Sequence, residues 1–150
     1  MDLIVIDIAR LDDLEEIYRI EKASFKTPWT KELLKEELMF PLSLNLVARY
    51  NDKTCGFLLS WQITPEIHIL TVAVEPESRG MGIGRALMEA LFSEASKRNC
   101  YKFTLEVRTS NYGAIEFYKK FKFIPKGRRK GYYQDTKEDA IIMWREQLDE

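Results

Sequence analysis

A glycine-rich turn between an apolar strand and a helix constrains this fold most strongly. Residues 69–74 read ILTVAV and carry no charge, which predicts a strand buried on both faces of a sheet. Pro76 ends that strand because proline has no N–H to donate to a neighbour. Gly80, Gly82 and Gly84 follow at alternate positions, and apolar residues at helical spacing come directly after them. The chain must therefore pass from a central strand through this turn into a helix.

This turn has the chemistry of an anion-binding site. Glycines let backbone N–H groups approach a ligand closely, and a helix N-terminus adds about half a positive charge. The spacing excludes a P-loop, since no lysine followed by Ser or Thr comes after the glycines. It also excludes G-x-G-x-x-G, which ends at Arg85 when counted from Gly80 and at Leu87 when counted from Gly82. A purely structural turn is the alternative interpretation.

Composition narrows the class of protein. A chain of 150 residues with 45% hydrophobic and 31% charged residues is expected to form a single soluble globular domain. The net charge of −1 gives no field that would draw it to nucleic acid or a membrane. Cys55, Cys100 and the single His68 are too far apart for a disulfide framework or a zinc site. Without an apolar run of membrane-spanning length or a signal peptide, we expect a cytoplasmic protein.

The residue patterns predict a mixed α/β fold in the order β-α-α-β-β-β-α-β-α-β-β. Asp12 with Glu15 resembles a capping box for the first helix, and Thr30 can cap the second. Asn51-Asp52-Lys53 predicts a hairpin. The predicted strands cover about 3–8, 45–50, 55–62, 69–74, 101–107, 123–133 and 139–146, and the four helices cover about 12–23, 30–39, 82–98 and 112–121.

This order of elements, together with four short strings, resembles the GNAT acetyltransferase superfamily over nearly the whole chain. The strings are Phe25 with Pro28-Trp29, ILTVAVEPESRGMGIGRAL, LEVRTSNYGAIEFYKKFKF and GYYQDTKEDAIIM. Within the superfamily the chain is most similar to RimI-type N-terminal acetyltransferases, which acetylate the α-amine of a ribosomal protein's first alanine. One departure is Lys122, where many members have glycine, and it puts the turn after the last helix in question.

Two residues are candidates for acid–base chemistry. In KFTLEV the strand period puts Thr104 and Glu106 on the face opposite Phe103, so Glu106 faces solvent, pairs with an arginine or serves a site. The resemblance implies that Glu106 is the general base. Tyr118 lies on the apolar stripe of its helix, where a core aromatic is the alternative, and the resemblance implies that it protonates the departing CoA thiolate.

The resemblance also implies acetyl-CoA as the cosubstrate and no metal. It assigns the acetyl and pantetheine groups to the strand backbone, and Asn111, which is also a candidate N-cap, to the pantetheine arm. Backbone access would require this strand to splay from its neighbour. The implied cofactor-binding residues are Val72, Ala73, Val74, Arg79, Gly80, Met81, Gly82, Ile83, Gly84, Arg85, Asn111 and Tyr118.

For the acceptor, the resemblance implies a peptide groove walled by Phe25, Trp29, Tyr132 and Tyr133. The expected partner is the N-terminal peptide of a ribosomal protein, with neither a membrane nor a specific nucleic acid involved. His68 is interpreted as a polar strand residue or as a backup base. The basic cluster, made up of Lys126, Arg128, Arg129 and Lys130, favours a solvated hairpin, with an acidic peptide, ribosomal RNA or the CoA phosphates as alternative partners.

The pKa of the acceptor favours an N-terminal amine. At pH 7 about 10–20% of an α-amine is neutral, against roughly one lysine in 2,500. We expect direct attack in a ternary complex, because no histidine near Cys55 or Cys100 in sequence suggests an activated thiolate. Two other functions stay open: acetylation of a lysine side chain or small-molecule amine, and a non-catalytic CoA-binding module.

Overall fold

A computed structural model describes residues 3–146. Within that range seven strands form a mixed sheet in the order β1-β2-β3-β4-β5-β7-β6, and four α-helices cover its faces. This confirms the predicted mixed α/β class and the order of elements. The strands are β1 (Ile4–Ile8), β2 (Leu46–Tyr50), β3 (Lys53–Ile63), β4 (Glu66–Val74), β5 (Lys102–Arg108), β6 (Ile124–Arg129) and β7 (Ala140–Glu146), and the helices are α1 (Leu14–Ser24), α2 (Lys31–Met39), α3 (Ile83–Lys97) and α4 (Tyr112–Lys120).

The two helix pairs bury opposite faces of the sheet. Ile17 of α1 and Leu34 of α2 pack in one cluster with Phe57, whereas Leu87 of α3 packs in the other with Leu58. Successive residues of β3 therefore face opposite helix layers, and this strand is buried from Thr54 to Ser60. A strand covered on both faces needs an almost continuous apolar run, which explains the sequence CGFLLS.

The sheet opens between β4 and β5. These strands pair in parallel only from Glu66–Ile69 against Lys102–Leu105, although β4 continues to Val74 and β5 to Arg108. The register of β3 against β4 shifts beside Leu70, directly after the last pair. Such a bulge bends a strand and increases its twist, which turns β4 away from β5. The result is the splay that the family resemblance implied.

This opening corrects one expectation about the central strand. Residues 69–74 are not buried throughout on both faces: Ile69 and Ala73 are buried, but Leu70, Thr71 and Val72 are half-buried. They remain partly accessible because β5 no longer covers that side of the backbone. This run of uncharged residues therefore forms part of the core and also one wall of the opening.

The local start of α1 differs from its prediction. A short 3₁₀ turn at Leu11–Asp13 precedes the helix, and Asp13 rather than Glu15 reaches back, with its Oδ2 accepting the Arg10 N–H at 2.8 Å. The other oxygen of Asp13 lies 3.0 Å from Arg49 on β2. This tertiary ion pair holds Asp13 at the helix start, so the predicted Asp12–Glu15 capping box is wrong.

Two other predicted turns are confirmed. Thr30 caps α2, its Oγ1 accepting the Leu33 N–H at 3.2 Å. Asn51 and Asp52 both have positive φ, 51° and 64°, as the two central residues of a tight hairpin require. The sequence predicts this cap and this hairpin turn because each depends on the conformational preferences of the residues that form it.

The segment after α4 contains a further correction. The strand predicted to run to 133 ends at Arg129, and the chain turns at Gly131 (φ 57°), so Tyr132 and Tyr133 lie on a loop. Lys122 takes φ 68°, the left-handed conformation that glycine adopts with least strain. The turn still closes, because the Phe123 N–H donates to the carbonyl of Tyr118 at 3.2 Å.

Among residues 3–146, none of the helices is both long and apolar enough to span a bilayer.

Candidate active site

Two cavities border the gap between β4 and β5. The glycine-turn cavity encloses about 370 Å³ and is lined by Val74, Arg79, Gly80, Gly82, Gly84, Arg85 and Lys120, among others. The Glu106 cavity encloses about 410 Å³ and is lined by Trp29, Trp61, His68, Leu70, Glu106, Tyr132 and Tyr133, among others. The gap thus has a cationic, glycine-rich chamber on one side and an aromatic chamber with a carboxylate on the other.

The glycines of the turn are required for two different reasons. Gly80 and Gly82 both have φ 84°, and an added Cβ would meet no atom within 4 Å, so the backbone conformation alone selects glycine. At Gly84 an added Cβ would lie 3.1 Å from the Phe117 ring. There the glycine permits α3 and α4 to pack closely. Backbone conformation therefore requires glycine at two positions of the turn, and helix packing requires it at the third.

The first turn of α3 offers backbone donors to the glycine-turn cavity. The Ala86 N–H makes the first intrahelical bond, to the Gly82 carbonyl at 3.0 Å. The N–H groups of Ile83, Gly84 and Arg85 have no acceptor within the helix. Arg79, Arg85 and Lys120 add positive charge at the cavity wall. These residues fit the diphosphate of coenzyme A; Met81, by contrast, does not line the cavity and is exposed.

Backbone direction distinguishes the three predicted residues of β4. The Glu75 N–H donates to the Cys55 carbonyl at 2.8 Å and so points toward β3. Because N–H groups alternate along a strand, those of Val72 and Val74 point into the gap and that of Ala73 points toward β3. The Ala73 carbonyl lies against Gly56 of β3, in agreement. Val72 and Val74, but not Ala73, can therefore donate to a ligand in the gap.

Glu106 lies directly after Leu105, the last residue of β5 that pairs with β4. Its Oε1 is 3.2 Å from Nε of Arg129, as the arginine-pairing interpretation predicts. The Glu106 side chain also lines the cavity. Its Oε2 is buried and accepts no hydrogen bond from any residue in the 3–146 range. A carboxylate oxygen in this state can accept a proton or a hydrogen bond from a ligand.

The tyrosine pair forms one wall of the Glu106 cavity. The rings of Tyr132 and Tyr133 meet edge to face with centroids 5.1 Å apart. The neighbouring Glu106 carboxylate raises the pKa of Tyr132, and burial raises the pKa of Tyr133 to about 12. Both phenols therefore stay protonated at neutral pH and can donate hydrogen bonds.

The first interhelical loop supplies another wall through Trp29. Phe25, predicted beside it, is half-buried, packs against the α1–α2 core and does not line the cavity. Of the four residues predicted to bind the acceptor, Trp29, Tyr132 and Tyr133 thus line one cavity. Phe25 instead packs in the core beside the loop.

Tyr118 lies within α4 and Asn111 is the N-cap of that helix, and neither residue lines either cavity. Tyr118 is buried in the α3–α4 core and lines neither cavity; burial, with a contribution from nearby Tyr133, raises its pKa, so the phenol keeps its proton. Asn111 caps α4, its Oδ1 accepting the Ala114 N–H at 3.2 Å, as one of its two interpretations predicts. That bond leaves the amide nitrogen of its side chain as a donor.

Sequence reasoning missed three residues around the Glu106 cavity. Trp61 lines it and donates from Nε1 to Glu37 at 2.7 Å. Glu21 is 2% exposed, and its Oε2 accepts the Trp29 N–H at 2.9 Å. Burial raises the pKa of Glu21. The available signal for Glu21 was its place four residues after Ile17 on the apolar stripe of α1. Arg129 is the third, and its sequence position in the basic cluster does not reveal its contact with Glu106.

His68 and the cysteines have limited roles in this geometry. His68 lines the cavity, with Nε2 2.8 Å from Glu66 Oε1. Cys55 and Cys100 are buried and line neither cavity, and burial raises the pKa of the Cys55 thiol. A thiol held in its protonated form is a poor nucleophile, so Cys55 is unsuited to a covalent route.

Residues 3–146 contain no group of acidic, histidine or cysteine side chains arranged to hold a metal.

The basic cluster lies on the exposed edge strand β6 and the turn after it. Arg128 pairs with Asp139 at 2.7 Å and Arg129 with Glu106 at 3.2 Å. None of its four residues lines the glycine-turn cavity, so the cluster is not placed to bind the CoA phosphates there.

Comparison with known proteins gives concordant matches in sequence and structure. The sequence pattern described as "Acetyltransferase (GNAT) family" matches residues 14–123. A Bacillus subtilis protein, provisionally named [ribosomal protein bS18]-alanine N-acetyltransferase, is 38% identical over 136 residues, which is 90% of each chain. The Escherichia coli K12 [ribosomal protein bS18]-alanine N-acetyltransferase is 35% identical over 133 residues, covering 87% of this chain and 89% of that one.

Solved structures agree with the sequence matches. The crystal structure of the ribosomal-protein-S18-alanine N-acetyltransferase from Escherichia coli superposes with a TM-score of 0.90 at 31% identity, covering 99% of this chain and 97% of that chain. Ard1 from Thermoplasma volcanium superposes with a TM-score of 0.87 at 34% identity, covering 97% and 99%. The paia N-acetyltransferase from Thermoplasma acidophilum, solved with coenzyme A, shares the fold with a TM-score of 0.81 at 21% identity over 96% and 99%.

Proposed function

The chain belongs to the GNAT acetyltransferase family, and we propose that it acetylates the N-terminal α-amine of a protein, with the first alanine of ribosomal protein bS18 as its expected acceptor. It is an acetyltransferase that uses acetyl-CoA. We further propose that residues 1–150 form a single acetyltransferase domain. A ribosomal acceptor would locate the enzyme in the cytoplasm.

One observation carries the proposal. The free Oε2 of Glu106 is buried in an aromatic cavity that borders the opening between β4 and β5. A buried carboxylate oxygen without a donor costs free energy unless a ligand supplies one. The α-ammonium group of a peptide supplies N–H donors and a compensating charge. The cavity can hold the first residue of such a peptide between Trp29 and the tyrosine pair.

The cosubstrate fits the other side of the opening. Acetyl-CoA supplies the activated thioester that makes acetyl transfer favourable. The N–H groups at the start of α3 and the cations Arg79, Arg85 and Lys120 would hold its diphosphate. The N–H groups of Val72 and Val74 would hydrogen-bond to its pantetheine arm and polarise the thioester carbonyl. Asn111 would donate its side-chain amide to the same arm.

The proposed mechanism moves two protons through named residues. Glu106 accepts the proton that the acceptor's nitrogen loses, directly or through one water, so that the lone pair can form the new C–N bond. The C–S bond breaks, and Tyr118 gives its phenolic proton to the leaving sulfur. An α-amine suits this weak base because about 10–20% of it is already neutral at pH 7. Attack in a ternary complex requires no covalent intermediate on Cys55 or Cys100.

The other two functions have less support. A lysine side chain would need a stronger base, since roughly one lysine in 2,500 is neutral at pH 7. A non-catalytic CoA-binding module would have no use for a carboxylate whose buried oxygen lacks a hydrogen-bond donor beside the opening. The relatives named above are also enzymes of the α-amine class by name.

The proposal is tested on the intact acceptor. Ribosomal protein bS18 is purified from source cells with and without the gene, and its N-terminal peptide is analysed by mass spectrometry. We expect alanine 1 to be acetylated only when the gene is present, and the purified enzyme with acetyl-CoA to restore the modification in vitro. Full acetylation of bS18 from cells that lack the gene would contradict the assignment of this acceptor.

A further inference from the structure

Two loops that flank the Glu106 cavity are joined to each other by one side chain. The α1–α2 loop, residues 25–30, contributes Trp29, and the β6–β7 loop, residues 130–139, contributes Tyr132 and Tyr133. Asp135 of the second loop accepts a hydrogen bond through Oδ2 from the hydroxyl of Thr27 in the first, at 3.1 Å. This bond closes a connection between segments 108 positions apart in sequence.

The same carboxylate binds Arg108 with both oxygens. Nη1 and Nη2 of Arg108 each lie 2.9 Å from an oxygen of Asp135, which is the bidentate geometry that fixes both groups in one plane. This contact lowers the pKa of Asp135, so the carboxylate is ionised at neutral pH. Arg108 is the last residue of β5, two positions after Glu106, and is therefore anchored to the sheet.

Arg108 in turn supports the cavity wall. Its guanidinium lies 4.0 Å from the centre of the Tyr133 ring, in cation–π geometry. A continuous set of contacts thus runs from β5 through Arg108 to Tyr133, and through Asp135 to Thr27 in the loop that carries Trp29. None of these three supporting residues lines the cavity itself.

We propose that Asp135 is a positioning residue for acceptor binding: it aligns Arg108 under Tyr133 and ties the β6–β7 loop to the α1–α2 loop, so that both walls of the Glu106 cavity are set before the peptide arrives. This inference rests on the proposed function, because it takes the Glu106 cavity as the acceptor site. Asp135 contacts neither acceptor nor cosubstrate and acts through Arg108 and Thr27.

Global stability does not explain this arrangement well. Asp135 and Arg108 are about one-third exposed, and ion pairs at such sites contribute little to folding. The bidentate contact instead restricts the orientation of the guanidinium, and the ring stacked on it is restricted in turn. Ordering two loops in advance lowers the entropy lost when the acceptor binds. The expected effect therefore lies in affinity for the acceptor.

The test compares Asp135→Asn with the matched control Asp139→Asn. Asp139 is in the same loop, pairs with Arg128 at 2.7 Å and accepts the Gly131 N–H at 2.8 Å, but touches no residue of the Glu106 cavity wall. With a peptide that the wild type acetylates, we expect Asp135→Asn to raise the peptide KM about tenfold. The KM for acetyl-CoA and the kcat at saturating peptide should change less than about twofold. Arg108→Lys should act in the same direction, since lysine lacks the planar fork.

A second readout does not depend on the acceptor. Hydrogen–deuterium exchange of the α1–α2 loop should accelerate in Asp135→Asn and in Thr27→Val, which removes only the bond between the loops, and not in Asp139→Asn. Unchanged exchange in Asp135→Asn overturns the inference, whatever the acceptor is. A peptide KM within twofold of the wild type, or an equal rise in Asp139→Asn, also overturns it. Failure of the wild type to acetylate any α-amine would instead refute the proposed function.

Discussion

Arg129 and Glu106 form an ion pair across the wall of the aromatic cavity, with Nε 3.2 Å from Oε1. The arginine side chain is 55% exposed, whereas that of Glu106 is 29% exposed. Arg129 therefore keeps one carboxylate oxygen occupied from the solvent side and leaves the buried oxygen for a ligand.

Glu106→Gln should lower kcat by roughly 10²–10⁴-fold, because the amide cannot accept the proton that the amine loses. Affinity for acetyl-CoA should stay unchanged, since Glu106 does not line the glycine-turn cavity. Steady-state kinetics at saturating substrates measures the first effect and calorimetry the second. A variant that turns over at the wild-type rate would remove Glu106 from the mechanism.

Tyr118→Phe should lower kcat by roughly 10²–10⁴-fold while leaving the fold intact. The change removes only the hydroxyl, and the remaining ring keeps its contacts with Phe117 and Phe123. Tyr112→Phe is the matched control on the same helix, because Tyr112 is 74% exposed. If both variants behave alike in turnover assays, Tyr118 is only a core aromatic.

Gly82→Asp should abolish measurable acetyl-CoA binding. The new carboxylate would repel the cosubstrate's phosphates at the start of α3, and φ 84° would strain the aspartate backbone. Gly131→Asp imposes similar backbone strain at φ 57° outside the glycine-turn cavity and should retain binding. Calorimetric titration with acetyl-CoA distinguishes the two variants. Normal affinity in Gly82→Asp would remove the diphosphate from this turn.

Glu21→Gln should flatten the dependence of stability on pH. Burial raises the pKa of Glu21 in the folded protein, so the folded state binds this proton more tightly than the unfolded state. The wild type should then lose stability as pH rises from about 4.5 through the raised pKa, and the loss persists above it. Glutamine does not titrate, yet its oxygen can still accept the Trp29 N–H.

Urea unfolding at pH values between about 4.5 and 7.5 measures the difference between Glu21→Gln and wild type. The variant's stability relative to the wild type should increase with pH across this window. Glu16→Gln provides a control from the surface of the same helix, where the side chain is 43% exposed. A constant difference between variant and wild type would mean that Glu21 titrates alike in both states.

The features that sequence predicted best are those encoded locally. The left-handed pair Asn51-Asp52, the cap at Thr30 and the glycine turn each follow from the conformations that particular residues favour. The acid–base candidates came from family resemblance, and their roles remain proposals. The opening between β4 and β5 was also implied only by the resemblance. Composition does not predict it, because the bulge beside Leu70 depends on the register between strands.

Long-range contacts account for what sequence missed. Asp13 is held by Arg49 from another strand, which displaced the expected helix cap. Phe25 was expected in the groove but packs beneath it, since an apolar loop residue does not reveal which side it buries. The N–H of Ala73 on β4 points toward β3, a direction that follows from the hydrogen bond between the Glu75 N–H and the Cys55 carbonyl. The Thr27–Asp135 contact joins residues far apart in the chain.

Acceptor specificity is measured most directly by acetyl transfer to short peptides that differ only at residue 1. Each peptide is offered with a free or a blocked α-amine, alongside lysine-bearing controls, and mass spectrometry locates the acetyl group. We expect label confined to free α-amines and strongest for an N-terminal alanine or serine. Label on lysines or small amines, or equal labelling of blocked peptides, would contradict it.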